Sequence, residues 1–182
     1  MAEKSNSAEA LFIRELQDLY NAEEQLVLGL TKLAVATEAP DLRAGLARHL
    51  EHTHHHLRRL EQVFRELHRL PSGGDCHDVR ILLAEAEEKL MAMNFGPDLD
   101  RALIESAHKI ESYEIAAYRA IIAQAYELGF EDIASLLEWN LQEEELCEYQ
   151  LQRVAEGLKS KPASHSRPNR NGRNRAALGG IL

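Results

Sequence analysis

DLDRALIESAHKIESYEIAAYRAIIAQAYEL, residues 98–128, lies between a Gly96-Pro97 break and Gly129. At 100° per residue, Ile104, Ala107, Ile115, Tyr118, Ile122 and Ala125 fall on one face, the pattern of a long helix packed on one side. Glu111 and Glu114 fall on that same face, where apolar side chains belong. A helix of this length with two acids on its buried face points to an all-α bundle whose interior accepts charge.

The segments on either side repeat the pattern. After Gly129 a helix is predicted over 131–158, and Ile133, Leu137, Asn140, Leu151 and Ala155 surround Glu144, with Glu148 one turn further on. Near the N-terminus, Ser7 is placed to cap a helix running to Thr37, with Glu9 near its positive end. On its face Phe12, Leu16, Leu19, Leu26, Val27 and Leu30 surround Glu23. Ala39-Pro40 interrupts that helix, and Pro40 suits the first position of the next. The second helix is read to about His68, with Leu42, Leu46, Thr53, Leu57, Leu60 and Phe64 inward. Leu70 to Asp75 is a loop, and a shorter helix is expected from Cys76 to about Met93. Two long helices joined by a tight turn, a long connection, then two more joined by a tight turn is the connectivity of a ferritin-like four-helix bundle: two antiparallel hairpins and one crossover carrying a short extra helix.

Composition agrees. Of 182 residues, 45% are apolar and only 5% aromatic, with Ala, Leu and Glu dominating the middle, which favours helices over sandwiches and barrels. Two cysteines, Cys76 and Cys147, cannot build a disulfide framework and fit a reducing compartment. The N-terminal MAEKSNSAEA lacks an export core and no apolar run reaches membrane-spanning length, so the cytoplasm is the expected location, without exclusion of a protein shell. The net charge is −9, and the six basic residues from Lys159 onward, unaccompanied by acids, leave −15 on the rest. An acidic body disfavours nucleic acid and attracts cations. The expected organisation is a bundle over 1–158 and a disordered basic tail over 159–182. That tail ends in the small apolar segment 176–182, readable as a peptide that loads cargo into a shell or as a terminus without a role.

Each inward acid taken alone has an ordinary explanation as a core residue paired with Arg. Together, acids from three helices would carry desolvation and repulsion penalties of several kcal/mol each unless cations join them. Carboxylate-rich oxygen sites suit iron or manganese. The second helix offers nitrogen: five of the nine histidines lie within 49–56. His49 and His56 point inward, His52 lies at the border, and His54 and His55 point outward. The candidate metal ligands are therefore Glu23, His49, His52, His56, Glu111, Glu114, Glu144 and Glu148.

Several stretches resemble the YciF/YciE-type bacterial stress proteins, a branch of the ferritin-like superfamily. They are Phe12-Ile13-x-Glu15-Leu16-x-Asp18-Leu19-Tyr20-x-Ala22-Glu23-x-Gln25, His49-Leu50 with Thr53 and Arg59-Leu60, Cys76, Lys109-x-Glu111-x-Tyr113-Glu114-Ile115, and Glu143-Glu144. The resemblance spans about residues 9–158. It implies a buried dinuclear metal site holding Glu23, Glu111, Glu114 and Glu144, a usually acidic position at Glu148, a homodimer and a role in stress. This chain departs from the pattern at positions 52 and 56, where an acid and Gln are expected and His52 and His56 stand. That departure makes the site richer in nitrogen or marks a lineage that has lost metal. Two functions follow as expectations: a di-iron or di-manganese protein that oxidises Fe(II) or handles peroxide, with Glu111 and Glu144 bridging the metals, or a non-catalytic interaction protein with an inherited polar core.

Overall fold

The computed structural model describes residues 2–72 and 74–159. Among them are five helices and no strand: α1 (Ala2–Ala36), α2 (Pro40–Glu66), α3 (His77–Ala92), α4 (Pro97–Glu127) and α5 (Glu131–Lys159). Apart from Lys159, which ends α5, the basic tail and its apolar end lie outside the described residues.

Local chemistry sets most of the boundaries. Pro40 opens α2, where its missing N–H removes a donor that a helix start leaves unpaired. No side chain of the preceding residue caps this end. Instead the carboxylate of Asp100 on α4 accepts from Thr37 Oγ1 at 2.5 Å, Glu38 N at 3.0 Å and Ala39 N at 2.9 Å. Gly129 takes φ 77° in the α4–α5 turn, a conformation that favours glycine. The predicted start of α1 at Ser7 is corrected: the helix already runs from Ala2, so Ser7 lies inside it. Ala2, Glu3 and Lys4 are good helix formers with no breaker between them and Ser7, so the helix continues backwards through them.

The four long helices pack as a ring in which α1 contacts α2 and α4, and α5 contacts α2 and α4. Contacts such as Tyr20–Glu61, Arg59–Glu143 and Tyr126–Glu138 make neighbours antiparallel. The short α3 runs along α1 and α4, returning the chain to the end where α4 begins. The interior has two apolar clusters. One contains Leu26, Leu30, Leu33, Leu42, Leu46, Leu99, Leu103 and Ile110, with Val79 and Ala86 of α3. The other contains Phe12, Leu16, Leu19, Leu60, Phe64, Tyr118, Ile121 and Leu137. Between them lies a polar layer.

Candidate metal centre

Each long helix sends side chains into this layer one or two turns apart: Glu23 from α1, His49, Thr53 and His56 from α2, Glu111 and Glu114 from α4, and Asn140 and Glu144 from α5. All are buried, and Glu23, His56, Glu114 and Glu144 are 0% exposed. The apolar neighbours that set each helix's orientation also force these residues inward, because they share the face.

Two groups of carboxylates and imidazoles form within the layer, and a third joins His49 and Glu144 to Cys147. In one, His49, Glu111, Glu114 and Glu144 each offer a donor atom within 4.8 Å of the others. In the other, Glu23, His56 and Glu144 do the same. Glu144 is common to both. His49 Nδ1 lies 2.8 Å from Glu111 Oε1, and its Nε2 lies 3.3 Å from Glu144 Oε2 and 3.7 Å from Glu114 Oε2. His56 Nδ1 lies 2.9 Å from Glu144 Oε1 and 3.2 Å from Glu23 Oε1.

A ring of hydrogen bonds holds the second group. His56 Nε2 donates to Glu143 Oε2 at 3.0 Å, and Arg59 grips Glu143 with two hydrogen bonds at 2.7 and 2.9 Å. Arg59 also donates to Asn140 Oδ1 at 2.8 Å, Asn140 Nδ2 donates to the Tyr118 hydroxyl at 2.9 Å, and Tyr118 donates to Glu23 Oε1. The ring orients His56, with Nε2 on Glu143 and Nδ1 facing Glu23 and Glu144.

The electrostatics are those of acids crowded out of water. Burial pushes the Glu111 carboxyl up to about 7, although His49 pulls against it. Burial, then the charges of Glu144 and Glu23, hold Glu114 well above the ordinary range. Burial disfavours protonated His49 and His56, but the carboxylates around them outweigh it and both are raised well above 6.5. Burial also opposes ionisation of Glu144, yet the two imidazoles hold it well below the usual carboxylate range. Glu143 falls to about 2 because hydrogen bonds from His56 and Arg59 overcome its partial burial.

Among the described residues, seven buried side-chain atoms make no hydrogen bond: Glu23 Oε2, His49 Nε2, Glu111 Oε2, and both oxygens of Glu114 and of Glu144. All seven lie in this one layer. Buried polar atoms are otherwise nearly always satisfied, and each orphan costs about 1–3 kcal/mol. A carboxylate and imidazole donor set that the protein's own hydrogen bonds leave incompletely satisfied fits divalent first-row cations.

Of the residues singled out from sequence, the structure brings Glu23, His49, His56, Glu111, Glu114 and Glu144 together. His52 is half-buried at the border, its Nδ1 3.3 Å from Cys147 Sγ, and burial lowers its pKa. Glu148 is not in either group; it pairs with Nδ1 of His108 at 2.9 Å. The shared carboxylate is Glu144 alone, whereas Glu111 belongs to one group only. Tyr118 touches the candidate ligand Glu23, whereas Tyr113 meets Cys76 Sγ and Tyr20 meets Glu61. Sequence reading passed over Glu143 as a layer residue, and Cys147 beside it.

Comparison with known proteins agrees with this architecture. The chain is 36% identical to Protein YciF of Escherichia coli (strain K12) over 148 residues, covering 81% of this chain and 89% of that protein. The crystal structure of the E. coli stress protein YciF superposes with a TM-score of 0.82 at 35% identity, covering 85% of this chain and 98% of that one. YcfI from Rhodopseudomonas palustris, described as a candidate structural protein, superposes with a TM-score of 0.79 at 39% identity, covering 81% and 94%. Residues 7–164 match the family described as "Domain of unknown function (DUF892)", and the chain belongs to that family.

Proposed function

We propose that this chain is a ferritin-like stress protein whose polar layer holds two divalent first-row metal ions, iron in the first place and manganese as the alternative. The observation that carries the reading is the set of seven buried donor atoms that make no hydrogen bond, confined to two groups that share Glu144. His49, Glu111, Glu114 and Glu144 would hold one ion, and Glu23, His56 and Glu144 the other. When bound, such a pair supplies oxidation of Fe(II) by dioxygen or peroxide, or disposal of peroxide. The protein's own contribution is orientation: Glu143 and Arg59 hold His56, Tyr118 holds Glu23, and the flanking apolar clusters keep bulk water out. The names of the relatives support the stress role, and a homodimer, a cytoplasmic location and shell loading through residues 176–182 belong to the same proposal.

Elemental analysis after aerobic loading with Fe(II) or Mn(II) tests it, with about two ions per chain expected. Metal content no higher than in Glu144→Ala would remove the reading. The second reading, a non-catalytic interaction protein, is favoured by His49 and His56, which can balance part of the acidic charge without any ion. It would lead if the chain bound no metal.

A further inference from the structure

Cys147 is buried, three residues after Glu144 and so on nearly the same side of α5. Its Sγ, a ring nitrogen of His49 and a carboxylate oxygen of Glu144 lie within 4.8 Å of one another. The two residues it joins carry orphaned donors: His49 Nε2 and both oxygens of Glu144 are buried without a hydrogen bond. A cavity of about 20 Å³, room for one water-sized occupant, lies against Cys147, His49 and Glu111, with Leu46, Ala107 and Leu151 in its lining.

We propose that Cys147 supplies a thiolate to the cation position at His49, making it a mixed nitrogen, oxygen and sulfur site that favours Fe(II) over manganese and also accepts borderline-soft ions such as cobalt(II). This rests on the dinuclear reading of the same layer and adds a ligand to it. Imidazole with carboxylates alone accepts manganese and iron; a thiolate shifts preference toward softer ions. On binding, the S–H bond breaks heterolytically. Its electron pair goes to the cation, and its proton passes to His52 Nδ1, 3.3 Å from Sγ, and from that half-exposed ring to solvent. No electron is transferred. Cys76 is no competitor for this role: it lies against Tyr113, with Asn21 and Gln25 on its backbone.

Cobalt(II) alone is the probe, added to the full chain. Expected is a thiolate-to-cobalt charge-transfer band in the near ultraviolet, present in the parent and in Cys76→Ser and lost in Cys147→Ser, with the second ion still bound. Cys147→Ala should give the same loss if the serine variant fails to fold. Cobalt bound by the parent without the band, or a band that survives in Cys147→Ser, overturns the thiolate ligand and leaves the dinuclear reading standing. Failure of the parent to bind cobalt, iron or manganese overturns both.

Discussion

Glu114 and Glu144 are both fully buried acids in one layer, yet their surroundings give them opposite roles. Glu144 lies between two imidazoles at 2.9 and 3.3 Å, and their charge holds its carboxyl low. Glu114 has no hydrogen-bond partner on either oxygen and is held high by burial and by neighbouring acids. Replacing Glu114 by Gln should therefore stabilise protein stripped of metal, by about 1–3 kcal/mol, while weakening metal retention. Glu144→Gln should instead cost about 3–5 kcal/mol, because it strands two buried imidazolium charges. Urea denaturation of the stripped variants checks this, and equal shifts of the same sign would contradict it. Helical periodicity made six of these residues legible, since 100° per residue places an acid or histidine among leucines without ambiguity. Glu148 was placed with the ligands because it lies one turn beyond Glu144, but there His108 of α4 takes it instead. Glu143 sits 100° from Glu144 around α5 and meets the layer through Arg59 and His56, both across on α2; no pattern within α5 encodes that.

Among the elements, the crossover explains a stretch of α1 that periodicity would leave to solvent. Gln17 Nε2 donates to Ser72 O at 2.5 Å, Asp18 accepts from Asp75 N at 3.0 Å, and Asn21 accepts from Cys76 N at 3.0 Å. Gln25 Nε2 donates to Cys76 O at 3.1 Å. The loop thus lies along one side of α1, so close that a Cβ on Gly74 would stand 2.0 Å from the Gln17 carbonyl oxygen. Gly45, inside α2, would meet nothing within 4 Å. One substitution should then act with two signs: Gly74→Ala destabilising by about 1–3 kcal/mol, and Gly45→Ala stabilising by about 0.5–1 kcal/mol. Thermal melts of the two variants decide it, and a neutral Gly74→Ala would mean the loop does not lie on α1. Helix ends were legible where Pro40, Gly96-Pro97 and Gly129 punctuate the chain. The attachment of the loop was not, because Gln17, Asp18 and Asn21 look like any solvated face until the partner segment is in place. The support that Asp100 gives the α1–α2 turn is hidden for the same reason: the three donors and their common acceptor are 61 to 63 residues apart.

For the whole molecule, one polar layer between two apolar clusters makes stability depend on pH in a way that metal should reverse. His49 and His56 titrate above their ordinary 6.5, so their contribution is full below that value and is lost as pH rises through their folded values. Glu111, at about 7, and Glu114 are raised from 4.5, so the folded state also holds their protons more tightly, and stability falls as pH rises from 4.5. Glu143 and Glu144 are depressed; what they contribute is present above 4.5 and is lost as pH falls below it toward their folded values. Protein stripped of metal should therefore be most stable at about pH 5–6 and weaken toward pH 8. In a chain of this size each 1 kcal/mol moves Tm by about 2–4 °C, enough to resolve by calorimetry. Cations compete with the same protons, so the gain in Tm on adding Fe(II) under anaerobic conditions, or Mn(II), should grow over that interval. Stripped protein that gains stability toward pH 8 would mean the layer does not hold these protons. A metal-induced gain independent of pH would mean that the ion binds somewhere other than between Glu23, His56, Glu144, Glu111, Glu114 and His49.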